Sequence, residues 1–183
     1  MPNSPWISQA SQAQLFQRQV RVSVSIASGR SGGVIVAGAS SWNYSVPYQE
    51  DLDAALQMLR REVFQAGEYY WVKGADWRPV EEREPRPPTL EQLWQDELVQ
   101  QAGTHSILDV FQVLGPDDTP DYNTVEPVTA AEARELLGTE KLTRAHIEDF
   151  GVFPRSRWVG RCAVLHDDQG APHEIYFWGH SGD

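Results

Sequence analysis

The chain of 183 residues has a single cysteine, only two lysines and no long apolar run. Cys162 cannot form a disulfide within the chain, so a reducing compartment is expected. No window approaches the roughly 20 apolar residues that a transmembrane helix needs, and the first residues lack the basic leader and apolar block of a signal peptide. These absences predict a cytoplasmic protein that does not span a membrane.

Carboxylates are missing from the first part of the chain and abundant in the rest. Residues 1–48 contain Arg18, Arg21 and Arg30 and no Asp or Glu. The rest holds the other 12 of the 15 Lys and Arg residues and all 26 Asp and Glu residues, so the two parts carry +3 and −14. A field of one sign attracts partners of the opposite sign. Nucleic acid is not expected as a partner, because phosphate contacts require clustered cations and these are diluted by acid.

No catalytic or cofactor motif is complete, and no cofactor is expected. Residues 29–33 match the Gly-x-Ser-x-Gly string of serine hydrolases. A nucleophile elbow needs a helix after the serine, whereas the β-branched segment 34–37 follows here. The same glycines lack the Gly-Lys-Ser/Thr ending of a phosphate-binding loop. The segment is therefore interpreted as a plain turn.

The N-terminal part is expected to form a loose arm followed by a hairpin. Residues 1–17 are rich in glutamine and have few apolar anchors. Residues 20–26 then alternate between apolar and polar, the pattern of a strand with one buried face. The turn at 29–33 lets residues 34–37 return beside that strand.

The middle of the chain predicts helices and the end predicts a hairpin. Apolar positions recur at helical spacing after Glu50, and capping-box patterns such as Thr89 with Gln92 mark further helix starts. The predicted helices span residues 50–67, 89–103, 129–138 and 143–150. Short strands are predicted at 69–72, 106–114, 158–165 and 174–178, the last two joined by a polar turn.

The order of these segments predicts an α+β fold. One domain is expected over residues 18–183, with a predominantly antiparallel sheet, hairpins at its N-terminal and C-terminal ends and three to four helices packed mainly on one face. Regular alternation of strands and helices is absent, which argues against a doubly wound parallel sheet.

Histidines supply the candidate catalytic and metal-binding residues. If the segments carrying His105 with Asp109 and His180 were neighbours, they could support general acid–base chemistry beside an aromatic pocket. Asp109 lies among apolar residues, so a structural pair with an Arg or a backbone amide is the simpler interpretation. His166 and His173 would meet across the final turn and could ligate a divalent ion, although an exposed polar turn collects such residues anyway. No structural metal is predicted.

Residues 76–88 are the candidate partner-binding segment. They contain four prolines and three glutamates and cannot hold a regular element, so a long surface loop is expected. Trp77 at its edge is expected to be partly exposed and could anchor an interface, with Glu81, Glu82 and Glu84 beside it. The sequence favours a small acidic binding protein of the inhibitor, immunity or adaptor type that engages a basic protein. The alternative is a small enzyme or ligand-binding domain that uses His105, Asp109 and His180.

Overall fold

The computed structural model describes residues 40–153 and 156–182 and has an α+β fold with one five-stranded sheet. Its strands are β1 (Ser41–Pro47), β2 (Gln112–Val113), β3 (Thr124–Pro127), β4 (Val159–His166) and β5 (Pro172–His180). Their order across the sheet is β1-β5-β4-β3-β2. The arm at 1–17 and the hairpin of 20–37, both predicted from the sequence, lie outside the described residues.

The sheet is mixed, so the prediction of a predominantly antiparallel sheet is wrong. Strand β5 pairs antiparallel with both β1 and β4, whereas β2, β3 and β4 run parallel to one another. The connection from β3 to β4 contains helical segments, and a crossover of that length returns the chain to the end from which a parallel strand must start.

Helices cover both faces of the sheet rather than mainly one. The α-helices of the described ranges are α1 (Leu52–Ala66), α2 (Leu90–Trp94), α3 (Glu97–Ala102) and α4 (Ala130–Leu137). Short 3-10 helices add Val72–Gly74, Val80–Glu82, Ile107–Asp109 and Arg144–Val152. No helix in these ranges has the length and apolar character to cross a membrane.

Alternation along β5 divides the core into two clusters. Ile175 and Phe177 belong to the cluster with α1, α2 and α3, while Trp178 belongs to the other, with α4 and the 144–152 segment. Successive side chains of a strand point to opposite faces, so one strand serves both clusters. The two-sided core follows from this alternation along β5, which lies between β1 and β4.

Local signals set the bounds of α1. The Asp51 side chain accepts a hydrogen bond from the Ala54 amide at 2.9 Å, and Gly67 ends the helix with a φ of 69°. Such a carboxylate cap satisfies an amide that has no partner within the helix, and glycine adopts the left-handed conformation without a Cβ clash.

Several predicted elements differ from those observed. Residues 69–72 are not a strand, and 106–114 contain the 107–109 turn and the two-residue β2 instead of one long strand. The helix predicted over 89–103 is two helices, because Asp96 caps the second by accepting from the Leu98 amide at 3.0 Å. The helix predicted over 143–150 is a 3-10 segment, and strands β1 and β3 were not predicted.

Candidate functional site

The Asp109 carboxylate joins the 103–109 segment to the end of β5. It accepts hydrogen bonds from the Thr104 amide and hydroxyl, both at 2.6 Å, and from the Ser181 hydroxyl at 2.5 Å. Since the Thr104 hydroxyl has one proton and gives it to Asp109, the Ser106 hydroxyl must donate to Thr104 across their 2.7 Å contact. All four side chains are buried.

This cluster is closed and structural. Burial raises the pKa of Asp109 above its usual value, against the hydrogen bonds from Ser181 and Thr104 and the charge of His105. Gly103 lies so close that a Cβ there would stand 2.8 Å from the carboxylate. A carboxylate with this many donors and no access to solvent is suited to fixing the chain, not to transferring protons with a substrate.

Each candidate histidine is next in the chain to a residue of this cluster: His105 follows Thr104, and His180 precedes Ser181. His105 has a φ of 53° and stacks on the Tyr70 ring at 4.5 Å between centroids. His180 ends β5 opposite Ser41, and its backbone carbonyl accepts from the Trp158 amide at 3.0 Å. The structure thus brings the 104–109 segment to the end of β5, but the link between them is Ser181, which sequence reasoning did not single out as the bridge.

His166 and the carboxylates of Asp167 and Glu174 near the final turn have partners of their own. His166 Nδ1 lies 3.2 Å from the Leu142 carbonyl, and Glu174 pairs with Arg144 at 2.5 Å. The Asp167 carboxylate accepts from the Ala171 and Gln169 amides, and these bonds hold its pKa below the usual value. His173 is exposed. Over the described residues, no group of three or more His, Cys, Asp and Glu side chains is arranged to hold a metal ion.

Cys162 lies in β4 with 1% of its surface exposed, and burial raises its pKa to about 12. The thiolate is the reactive form, so we expect an aromatic disulfide reagent to label the folded protein far more slowly than it labels glutathione in the same buffer. Addition of denaturant should restore full labelling. Rapid, stoichiometric labelling of the folded chain would contradict this burial and point to a reactive thiol.

The loop of residues 76–88 is fixed by arginines that bond to the backbone. Arg83 donates to the Asp76 carbonyl at 2.6 Å and to the Arg78 carbonyl at 3.0 Å. Arg78 donates to the Val72 carbonyl at 3.0 Å, and the Trp71 indole donates to the Glu84 carbonyl at 2.9 Å. These bonds define one conformation for a segment with little regular structure.

The same loop presents apolar side chains and carboxylates to solvent. Trp77 is 68% exposed and Val80 is 75% exposed. Glu81 and Glu82 are also exposed and form no ion pair with a described residue, whereas Glu84 lies 3.5 Å from Lys73. The sequence thus located an exposed Trp correctly, but Glu84 contributes partly to the fixing of the loop.

An aromatic groove of about 720 Å³ is the feature that sequence reasoning missed. Its lining consists of four aromatic and three polar side chains: Trp94, Phe111, Tyr122, Trp158, Gln100, Asn123 and Arg157. We call these seven residues the aromatic groove. None of the sequence-predicted site residues lies among them.

The groove stands at the amino ends of the three parallel strands. Phe111, Asn123 and Trp158 immediately precede β2, β3 and β4. The Phe111 amide donates to the Asn123 carbonyl, and the Asn123 amide donates to the Trp158 carbonyl, both at 2.6 Å. The signal in the sequence was an aromatic or amide residue directly before each strand, but it could be read only once the strands and their parallel pairing were known.

Comparison of the chain with protein-family models, with curated proteins and with solved structures gave no match.

Proposed function

We propose that this chain is a small acidic binding protein whose 76–88 loop docks onto a basic protein. The observation that carries the proposal is the 68% exposure of Trp77 on a loop fixed by the backbone hydrogen bonds of Arg83. Trp is a frequent anchor of protein interfaces, and a loop already held in its bound conformation loses less entropy on association.

The charges of the loop support a basic partner. Its arginines have partners within the protein: Arg83 and Arg78 bond to backbone carbonyls, and the Arg86 guanidinium lies 5.2 Å from the centre of the Tyr69 ring. Glu81 and Glu82 are left exposed on the outer surface. Together with a net charge of −11 for the chain, this surface favours the approach of a positively charged protein.

The alternative of an enzyme based on His105, Asp109 and His180 has less support. Asp109 is fully buried and saturated with donors, and the aromatic groove is lined by other residues. General acid–base catalysis requires a group within hydrogen-bond reach of the substrate. The closed cluster offers no such access.

The proposal is tested by copurification of the full chain from its host, followed by binding kinetics with the partner obtained. We expect Trp77→Ala to speed dissociation by about tenfold or more, as for an interface anchor. The pair Glu81→Lys and Glu82→Lys should instead slow association and weaken its dependence on salt, because surface charges act mainly on encounter.

Two variants serve as matched controls. Glu135→Lys reverses an exposed charge on α4, on the other face of the sheet, and Tyr122→Ala removes an aromatic side chain that is 71% exposed outside the loop. Both should leave the kinetics unchanged. Equal kinetics for wild type and the loop variants would show that residues 76–88 are only a connector.

A further inference from the structure

The aromatic groove has the size and lining of a ligand site. Its volume of about 720 Å³ falls within the range of small-molecule pockets, which combine an apolar lining with a few polar groups. Phe111 is 39% exposed and Tyr122 is 71% exposed, so two large rings of the groove face solvent. Exposed apolar groups gathered in one concave place indicate binding.

The backbone of the groove is strained at one aromatic residue. Trp158 has a φ of 63°, a left-handed conformation that a residue with a bulky side chain rarely adopts. Its ring lies against Gly182, where any side chain would collide with it. The Trp158 carbonyl is held by the Asn123 amide at 2.6 Å. Strained residues that are fixed by their surroundings are a feature of functional sites.

The aromatic rings of the groove meet at steep angles. Trp94 contacts Phe111 edge-on, with centroids 4.9 Å apart and ring planes at 88°. Trp94 also lies 6.5 Å from Trp158, with ring planes at 61°. A planar ring can stack on one wall of such a corner while its edge meets the other wall. The walls therefore suit a flat aromatic ligand.

The two amide side chains of the groove offer mainly hydrogen-bond acceptors. Gln100 Nε2 donates to the Trp94 carbonyl, and Asn123 Nδ2 donates to the Asp109 carbonyl, both at 2.7 Å. Each nitrogen therefore has one of its two protons engaged, whereas neither oxygen accepts a hydrogen bond from a described residue. An amide oxygen has two lone pairs, so a ligand that donates an N–H matches the capacity that remains.

The lining holds no charge that a charged ligand could pair with. None of its seven residues is Asp or Glu, so a cation would find no carboxylate there. The one charged residue is Arg157, which donates to the Gly182 carbonyl at 3.3 Å and has a further interaction within the protein. Removing a charged group from water without a counter-ion costs free energy. A neutral ligand is therefore favoured.

We propose that the aromatic groove binds a small, neutral, planar heterocycle that carries an N–H donor. The ring packs against the aromatic walls, and the N–H donates to the side-chain oxygen of Gln100 or Asn123. This site is separate from the 76–88 loop, and the proposal stands or falls independently of the docking function.

The test titrates the full chain with a series of matched probes, followed by NMR. Indole is flat and neutral with one N–H, 1-methylindole has the same ring without the donor, and caprolactam has a neutral N–H without an aromatic ring. We expect indole to bind with a dissociation constant of about 1 mM or below, 1-methylindole about fivefold more weakly and caprolactam at least about tenfold more weakly. The side-chain N–H resonances of Trp94 and Trp158 should shift on binding, while that of Trp77 should not.

Two charged probes test the preference for a neutral ligand. Indole-3-acetate and tryptamine carry the same ring with a negative and a positive charge. Neither should bind more tightly than indole, because the groove offers no counter-ion for either.

Variants distinguish the hydrogen bond from stacking. Gln100→Met combined with Asn123→Gly removes both amide oxygens, and glycine retains the left-handed backbone at position 123. This double variant should bind indole and 1-methylindole equally. Tyr122→Ala should weaken the binding of both by about fivefold, whereas Tyr122→Phe keeps the ring and should retain it. Trp77→Ala and Arg61→Gln, both at exposed positions outside the groove, are the controls and should change nothing.

Several results would overturn the proposal. These are no binding of indole, equal affinity of the wild type for indole and 1-methylindole, or indole binding that is indifferent to Tyr122→Ala. Tighter binding of indole-3-acetate or tryptamine than of indole would also overturn it, and would indicate a charged ligand instead. If the double variant fails to fold, the series of probes and the exposed Tyr122 still decide the outcome.

Discussion

Replacement of Asp109 by alanine is expected to lower the free energy of unfolding by about 3 kcal/mol, because it leaves buried donors without an acceptor. The donors concerned are the Thr104 amide and hydroxyl and the Ser181 hydroxyl. Asp109→Asn keeps an acceptor for Thr104 and a polar group near Ser181, so it should cost about 1 kcal/mol at neutral pH. Urea unfolding of the three proteins measures both differences.

The difference in stability between wild type and Asp109→Asn is expected to depend on pH. Burial raises the folded-state pKa of Asp109, so the folded protein holds this proton more tightly than the unfolded chain does. The raised pKa contributes fully to the free energy of unfolding below the unfolded pKa of about 4, and this contribution is lost as the pH rises through the folded pKa. The stability of wild type relative to Asp109→Asn should therefore fall as the pH rises above about 4. A difference that stays constant or grows with pH would contradict the assigned direction.

Gly179→Ala is expected to destabilise the fold by about 3 kcal/mol, with a melting temperature lower by about 10 °C. A Cβ at Gly179 would stand 2.3 Å from Cζ2 of Trp42, which also covers Gly160 on the neighbouring strand. Gly179 lies in β5 between β1 and β4, so its backbone has little freedom to move away. Thermal unfolding followed by circular dichroism measures the effect.

Two further variants test the steric cause of this loss. Gly151→Ala is the control, because a Cβ there would have no neighbour within 4 Å. Combining Gly179→Ala with Trp42→Phe should cost less than the sum of the two single changes, since the smaller ring makes room for the methyl group. Strict additivity would show that the indole is not what excludes a side chain at position 179.

The sequence predicted elements well where the signal was local. The caps of α1, a carboxylate at Asp51 and a glycine at position 67, lie directly beside the helix that they delimit. The apolar run of 106–114 predicted a strand, but burial does not distinguish a strand from a packed turn. Here the Ser106 hydroxyl accepts from the Leu108 amide at 3.2 Å and starts a 3-10 turn.

The exposed Trp77 and the aromatic groove also differ in whether local sequence could predict them. Exposure of Trp77 could be predicted because prolines and carboxylates surround it in the chain. The aromatic groove depends on the parallel pairing of three separate strands, and nothing local to Phe111 or Trp158 encodes that pairing. Contacts of this kind become visible only when the order of the strands is known.

Photo-cross-linking from the 76–88 loop tests the docking function most directly. A benzoylphenylalanine replaces Val80, which is 75% exposed beside Trp77, or Leu136, which is 40% exposed on α4. The account predicts that the full chain cross-links stoichiometrically to one basic protein from position 80 and not from position 136, and that Trp77→Ala abolishes the product. Cross-linking that is absent at position 80, equal at both positions or unaffected by Trp77→Ala would contradict it.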